Sequence, residues 1–289
     1  MIIPTPSTEE AAGRALAREL HSAHYYTPEG EPRYTREDGK PVTLREARKG
    51  GWFPSITHIF NVLENRALRM YLDKQLLTAS FNVRPKDEEA TDDYFSRVLT
   101  RRKLDANQAA DVGTATHSGI EAILKNERWD KENPLLRVIA DWVQDNVEVL
   151  HWQEETLVNE ILGLAGRCDA FVNLKGIGHA VIDWKTRRFK EQKSGYKCGW
   201  YKKDVRQISF YAEAVERGLE AVGLHFEVTA INVAINTKGE AVVEAKEWST
   251  DERTASLKIV ESINMIWQDE NNYAPTGTQH YYLGNKMPQ

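Results

Sequence analysis

The sequence predicts an α/β protein, with helices gathered in the first half and a sheet in the second. Three observations predict it. Apolar residues recur at helical spacing from about residue 55 to 150, the pattern changes to short runs of β-formers from about Glu155, and turn residues separate those runs. At 289 residues the chain is about two average domains long, or one enlarged α/β domain, with ample material for a core.

A helical pattern opens the chain at about residues 7–23. The stretch 24–52 carries repeated Pro and Gly among charges and is expected to be a loop, or a hairpin with a mobile tip. Helical periodicity returns from Ser55 to about Ala79 and again over about 87–104, ending in the basic cluster Arg97, Arg101, Arg102 and Lys103. A third helix is expected to begin near Gly113-Thr114, capped by Thr114, and to run through HSGIEAILKN. WDKENPLLRVIADWVQDNVEVL gives a fourth, with Pro134 suited to its first turn. ETLVNEIL, CDAFVNL and HAVIDWK then give three consecutive strands, separated by LGLAG and KGIG. A polar, aromatic-rich stretch leads to a helix at about 204–217, capped by Asp204 and stopped by Gly218. FEVTAINVAIN and EAVVEAKEW give two more strands, a last helix covers about 250–270, and a polar tail closes the chain. The expected organisation is a helical region over 1–110, an α/β core over 111–275 and a tail over 276–289.

Composition excludes several classes. With 41% hydrophobic and 28% charged residues the balance is that of a soluble globular protein. Cys168 and Cys198 are too few for a disulfide framework or a four-thiolate zinc or iron–sulfur site, and they fit a reducing cytoplasm. No apolar run approaches the roughly 18 residues of a membrane span, and the N-terminus lacks signal-peptide and transit-peptide features. No glycine-rich phosphate loop is present. The net charge of -5 at first argues against a nucleic-acid partner.

The most informative stretch is Asp169-x13-Asp183-x-Lys185. If AFVNL and HAVID form a hairpin turning at Lys175-Gly176-Ile177, Asp169 stands directly across from Asp183. Like charges so placed destabilise a sheet unless something positive lies between them, and a divalent cation fills that role. Lys185 shares the face of Asp183 by the strand period, while Ile182 and Trp184 point into the other layer. Carboxylates holding Mg²⁺ or Mn²⁺ beside a lysine form a site for phosphodiester hydrolysis. Taken alone, D-x-K also fits a solvated strand end.

His117 and Glu121 fall four apart on one helical face, so an imidazole can supply a further ligand with Glu121 beside it. A lone helical His equally fits a hydrogen-bonded core residue. Glu155 or its neighbour Glu154 can join the site from the first strand. Gln207 and Tyr211 share another helical face, where they either contact phosphate and bases or form an amphipathic helix with a core tyrosine. Between strand and helix, residues 185–206 hold nine basic residues against two acidic ones, a local +7 that leaves −12 for the rest of the chain. Arg187, Arg188, Lys202 and Lys203, interleaved with aromatics that include Trp200 and Tyr201, have the composition of a surface that neutralises phosphates and stacks unpaired bases.

In order, G-T-x-x-His117-x-x-x-Glu121, G-R-C-Asp169, I-Asp183-W-Lys185-T and Gln207-x-x-x-Tyr211 resemble the RecB-like branch of the PD-(D/E)XK nuclease superfamily. The segment Phe53-Pro54-Ser55-Ile56-Thr57 is similar to one that opens phage-encoded and mitochondrial genome maintenance exonucleases of that branch. The resemblance spans about residues 52–215. It implies a restriction-endonuclease-like αβββαβ core with a helical N-terminal extension. It also implies a metal held by His117, Asp169, Asp183 and the main-chain carbonyl of Trp184, with Lys185 catalytic and Gln207 and Tyr211 at the DNA. Cys168 stands where the superfamily name has proline, and the four cysteines of iron–sulfur members are missing, which implies no cluster. The expected function is Mg²⁺- or Mn²⁺-dependent exonucleolytic hydrolysis of DNA from ends or single strands, in recombination, repair or phage DNA processing. An endonuclease on the same core and a catalytically silent DNA-binding subunit stand as alternatives, and protein partners are unspecified.

Overall fold

The computed structural model describes residues 23–34, 42–63 and 66–275, so the helix expected at 7–23 and the tail at 276–289 lie outside the described residues. The described chain forms two compact units, one of residues up to Val62 together with those from Thr116, the other spanning Leu63–Ala115.

The first unit opens with β1 (Tyr25–Tyr26), β2 (Pro32–Arg33), α1 (Leu44–Gly50), β3 (Phe53–Pro54) and α2 (Ile56–Ile59), followed by a 3₁₀ turn at Phe60–Val62. β1 pairs with both β2 and β3, so the expected hairpin exists, but residues 44–50 are helix rather than loop. Thr43 and Glu46 form a reciprocal capping box there, a start signal embedded in a charged stretch. Ser55 caps α2 by accepting the His58 N–H.

The second unit holds α3 (Arg66–Asn82) and most of α4 (Thr91–Leu124), whose last residues belong to the first unit. Tyr94 Oη donates to the Ser80 carbonyl at 3.1 Å, and Arg97 pairs with Glu89 at 2.6 Å. The two helices expected at 55–79 and 87–104 are displaced, because the chain turns at Phe60–Val62 before α3 begins. Gly113-Thr114 starts no new helix, since α4 runs straight through it. An interior Gly costs only about 1 kcal/mol and does not by itself end a helix.

From α4 onward the elements are α5 (Pro134–Asn146), β4 (Val147–Asn159), β5 (Leu164–Leu174), β6 (Gly178–Arg187), β7 (Lys190–Gln192), β8 (Gly195–Lys197), α6 (Lys202–Ala221), β9 (Thr229–Asn236), β10 (Val243–Trp248) and α7 (Thr250–Glu270). Asn133 caps α5 with Pro134 in the first turn. VEVL, assigned above to that helix, instead begins β4. The sheet has the order β10-β9-β6-β5-β4, with β4 to β6 an antiparallel meander and β9 parallel to β6 after the α6 crossover.

Helices cover both faces of that sheet. On one, Ile208, Phe210 and Tyr211 of α6 and Val260, Ile263 and Trp267 of α7 pack on Leu164, Cys168, Phe171 and Val181. On the other, Ile120 and Ile123 of α4 and Leu136 and Ile139 of α5 pack on Ala170, Val172, Ile182 and Trp184. Gly119 makes the α4–α5 approach possible, because a Cβ there would lie 2.5 Å from Leu136 Cδ1. The architecture is the mixed α/β sheet with flanking helices that the sequence predicts, and no described helix is long and apolar enough to cross a membrane.

Candidate active site

The sheet splits at the two aspartates. β5 and β6 pair from Leu174 with Gly178 to Ala170 with Ile182, the register expected from a turn at Lys175–Ile177. Beyond that point β6 continues against β9, setting Asp183 beside Asn232, while β5 continues against β4. Asp169 and Asp183 flank the parting, and Asp169 Oδ2 accepts the Trp184 N–H at 2.7 Å in place of a ladder bond. The facing of β5 switches here too: Leu164 and Cys168 join the α6-side core, but Ala170, Val172 and Leu174 join the other.

On the α6 side, Asp183 is 2% exposed. Lys185 Nζ lies 2.8 Å from its Oδ1 and 2.6 Å from its Oδ2, and Asn232 Nδ2 donates to Oδ2 at 2.6 Å. Trp248 Nε1 donates to Asn232 Oδ1 at 2.7 Å. Lys185 also donates to Gln207 Oε1 at 3.1 Å, and Gln207 Nε2 donates to Tyr211 Oη at 3.0 Å. One hydrogen-bonded chain therefore runs from Trp248 through Asp183 and Lys185 to Tyr211.

On the α4 side, His117, Glu154 and Asp169 bring ligand atoms within 4.8 Å of one another, with His117 Nδ1 4.0 Å from Asp169 Oδ2. Between Glu154 and Glu155, left open by the sequence, Glu154 is the one turned inward. It is paired through Oε2 with Arg167 Nε at 2.7 Å. Asp183, engaged by Lys185 and Asn232, is outside this three-residue group but close enough for its charge to act on His117 and to feel that of Asp169.

Burial shifts these groups strongly. It pushes His117 down to about 4, helped by Lys185, so the imidazole is neutral at physiological pH. Burial raises Asp169 and Asp183 to about 6, each opposed by Lys185. It raises Glu154 to about 8, with Asp169 and Glu121 adding like-charge repulsion against Arg167. Burial would lower Lys185, but Asp183 and Asp169 outweigh it and raise the ammonium. A neutral imidazole among carboxylates short of positive charge is a donor set that fits Mg²⁺ or Mn²⁺. Glu121, one turn beyond His117, contributes its charge to the same group.

Gln207 and Tyr211, expected at a nucleic-acid contact, are both buried. Gln207 is 8% exposed and turned to Lys185, and Tyr211 is 2% exposed behind it. The core-tyrosine alternative is the one realised. Gly166 permits it, because a Cβ there would lie 2.8 Å from Tyr211 Cε1 and 2.9 Å from Ile56 Cγ2. Arg187 is likewise structural, donating to both Asp204 oxygens at 2.9 and 3.0 Å and to the Gly199 carbonyl at 2.8 Å. Asp204 is the third residue of α6 rather than its cap, accepting the N–H of Tyr201, and α6 continues past Gly218. Trp200 packs against the core and donates to Glu244, while Arg188, Tyr201, Lys202 and Lys203 are exposed. Trp184 is buried edge-on to Trp142. Asn232 was missed, although a polar residue inside the apolar run I-N-V-A-I was a usable signal.

The family model for the PD-(D/E)XK nuclease superfamily matches residues 75–280, more than two thirds of the chain. This chain belongs to the PD-(D/E)XK nuclease superfamily. Curated protein sequences give no match. Among the solved structures similar to this chain, two are so at low identity. A crystal structure from Eubacterium rectale named "Putative exonuclease" is 13% identical, with 99% of this chain and 96% of that one covered at a TM-score of 0.34. The crystal structure of SSO0001 is 16% identical, with 78% and 97% covered at a TM-score of 0.30. As a PD-(D/E)XK nuclease the chain is a hydrolase of nucleic acid in a superfamily that uses divalent metal ions, and the His117–Glu154–Asp169 group is where one fits.

Proposed function

We propose that this chain is a Mg²⁺- or Mn²⁺-dependent deoxyribonuclease of the RecB-like branch, acting on DNA ends or single strands. The carrying observation is the joining of Asp183, Lys185 and Gln207 in one buried hydrogen-bonded chain beside His117, Glu154 and Asp169. His117, Asp169, Asp183 and the Trp184 carbonyl would hold the cation, with Glu121 nearby. When bound, the cation polarises the phosphodiester and acidifies water. Lys185, kept charged by Asp183 and oriented by Gln207, neutralises charge developing on the phosphate. Arg188, Tyr201, Lys202 and Lys203 present exposed charge and an aromatic ring to a DNA strand. The exonuclease mode rests on the Phe53–Thr57 resemblance.

The test is digestion of end-labelled single- and double-stranded oligonucleotides and of covalently closed circular DNA, with Mg²⁺, Mn²⁺ or chelator. Linear DNA should be shortened from its ends only with metal, and the closed circle left intact. Asp183→Asn and Lys185→Ala should each reduce the rate by about 10²–10³-fold while retaining the wild-type circular dichroism spectrum. Nicking of the circle would make the chain an endonuclease; undiminished digestion by either variant would refute the site.

A further inference from the structure

We propose that the β7–β8 hairpin is a distal phosphate grip, in which Lys190 and Lys197 hold the DNA backbone at a distance from the cleavage centre and so set the length of DNA that is bound; this rests on the reading of the chain as a DNA nuclease. β6, which carries Asp183 and Lys185, ends at Arg187, and β7 begins three residues further on. The hairpin register sets Lys190 directly opposite Lys197, Glu191 opposite Tyr196 and Gln192 opposite Gly195. Opposed residues share a face and neighbours alternate. Tyr196 packs with the buried Phe189, Cys198 and Ala234, so its face is the inner one. The two lysines stand on the outer face, both exposed.

Cross-strand partners have Cβ atoms about 4.5–5.5 Å apart, and like charges so placed destabilise a sheet. Among the described residues neither lysine has an ion-pair partner. Two strands of three residues are marginal by themselves, yet this hairpin is fastened at both ends. The Phe189 N–H donates to Asn236 Oδ1 at 2.9 Å and the Cys198 N–H to Glu244 Oε2 at 2.9 Å. Tyr196 fills the space that a side chain at Gly239 would need. The fastening keeps two lysines side by side against their repulsion, and an anionic oxygen between them relieves it. A backbone phosphate is the anion that DNA supplies. Lys190 is seven residues beyond Asp183, so their backbones are at most about 25 Å apart. One strand of a duplex places a phosphate roughly every 3.4 Å, which puts the gripped phosphate on the order of seven nucleotides or fewer from the scissile bond.

The test uses the full-length protein as wild type, as Lys190→Gln with Lys197→Gln, as Lys190→Glu, and as a control pair, Lys125→Gln with Lys258→Gln, exposed lysines just past α4 and on α7. Fluorescence anisotropy of a labelled single strand of about 20 nucleotides, in chelator, should show binding about 5–10-fold weaker for the Lys190–Lys197 pair and within about twofold for the control. The slope of log affinity against log salt should fall by about 0.7–1.4, the loss of one or two phosphate contacts. Lys190→Glu places opposite charges across the strands, so it should keep or raise the melting temperature while weakening DNA binding comparably. In digestion with Mg²⁺ or Mn²⁺ the Lys190–Lys197 pair should raise KM by the same factor with kcat within about twofold. That factor should approach one as the oligonucleotide is shortened below about seven nucleotides. Lysines that only keep the hairpin edges from pairing with other molecules would give aggregation with unchanged affinity and salt slope, which overturns the inference. A loss equal at every length, or equal in the control pair, reports net charge alone and overturns it too. A wild type that binds DNA and degrades none refutes the nuclease reading and leaves the hairpin to be judged by affinity and slope. A wild type that does neither sinks both.

Discussion

Gly166→Ala tests whether the fold and the site share one packing constraint. The added Cβ would stand 2.8 Å from Tyr211 Cε1, 2.9 Å from Ile56 Cγ2 and 3.2 Å from Tyr211 Oη. Ordinary carbon contacts sit at about 3.5–4.0 Å, so the ring or the strand must move by roughly an ångström. Neither is free to do so, because Tyr211 is 2% and Ile56 0% exposed. Overpacking of this kind costs about 1–3 kcal/mol, and for a domain of this size each kcal/mol lowers the melting temperature by roughly 2–4 °C. A fall of about 2–12 °C is expected by calorimetry. The functional consequence follows from the 3.0 Å bond between Gln207 and Tyr211 and the 3.1 Å bond from Lys185 to Gln207. Displacing Tyr211 by an ångström loosens the amide that aims Lys185, and misplacement on that scale costs up to about 10²-fold in rate. Steady-state digestion should show a lower kcat with little change in KM. A variant with wild-type melting temperature and wild-type kcat would refute the coupling of Gly166 to Lys185 through Tyr211.

Asn232→Leu removes a donor to Asp183 and orphans Trp248 Nε1, which should lower stability by about 1–3 kcal/mol in urea unfolding and slow DNA digestion at least tenfold. Lys202→Ala with Lys203→Ala should weaken DNA binding and reduce the slope of log affinity against log salt by about 1–2, whereas Arg187→Ala, which opens the Asp204 clamp, should mainly lower the melting temperature. Burial, with His24 assisting, holds His58 down to about 4. The unfolded chain, with an ordinary pKa of about 6.5, therefore takes up a proton that the fold excludes. The His58 contribution is complete above about pH 6.5 and is lost as pH falls toward 4. His58→Gln should reduce the pH 7-to-5 difference in urea midpoint relative to wild type.

What could be read from the sequence was local and periodic. A strand period of two and the tight turn at Lys175-Gly176-Ile177 were enough to give the register that pairs Leu174 with Gly178 through Ala170 with Ile182 and to set Lys185 on the face of Asp183, because a hairpin register is fixed by its turn; the parting of the strands at Asp169 and Asp183 was not legible there. Asn232 needed the parallel β6–β9 register, which depends on where the α6 crossover returns the chain. Glu154 and Glu155 are adjacent carboxylates that the sequence leaves as alternatives, and the positive φ at Glu154 that turns it inward has no sequence signature. Gln207 and Tyr211 were correctly placed on one helical face, but the depth of that face depends on Gly166 in another element. The helix expected from Gly113-Thr114 failed for the opposite reason: local cap chemistry was present, and continuous helix on both sides overrode it.

The charge of the chain looks different once these placements are known. Lys185 and Arg187 contribute to the +7 of residues 185–206, yet both are tied to buried aspartates. The field available to a phosphate backbone comes from the exposed Arg188, Lys190, Lys193, Lys197, Lys202 and Lys203. The acidic centre holds Glu121, Glu154, Asp169 and Asp183, whose negative charge opposes the approach of a phosphate. On the proposed reading, a divalent cation among those carboxylates reverses the sign of the centre, so the same event that prepares the chemistry also admits the substrate. Binding of DNA and of metal should then reinforce one another, each raising the other's affinity by the same factor. The net charge of -5 averages a +7 segment with −12 spread over the rest of the chain, and so reports neither the basic approach nor the acidic centre whose sign, on the proposed reading, the cation decides.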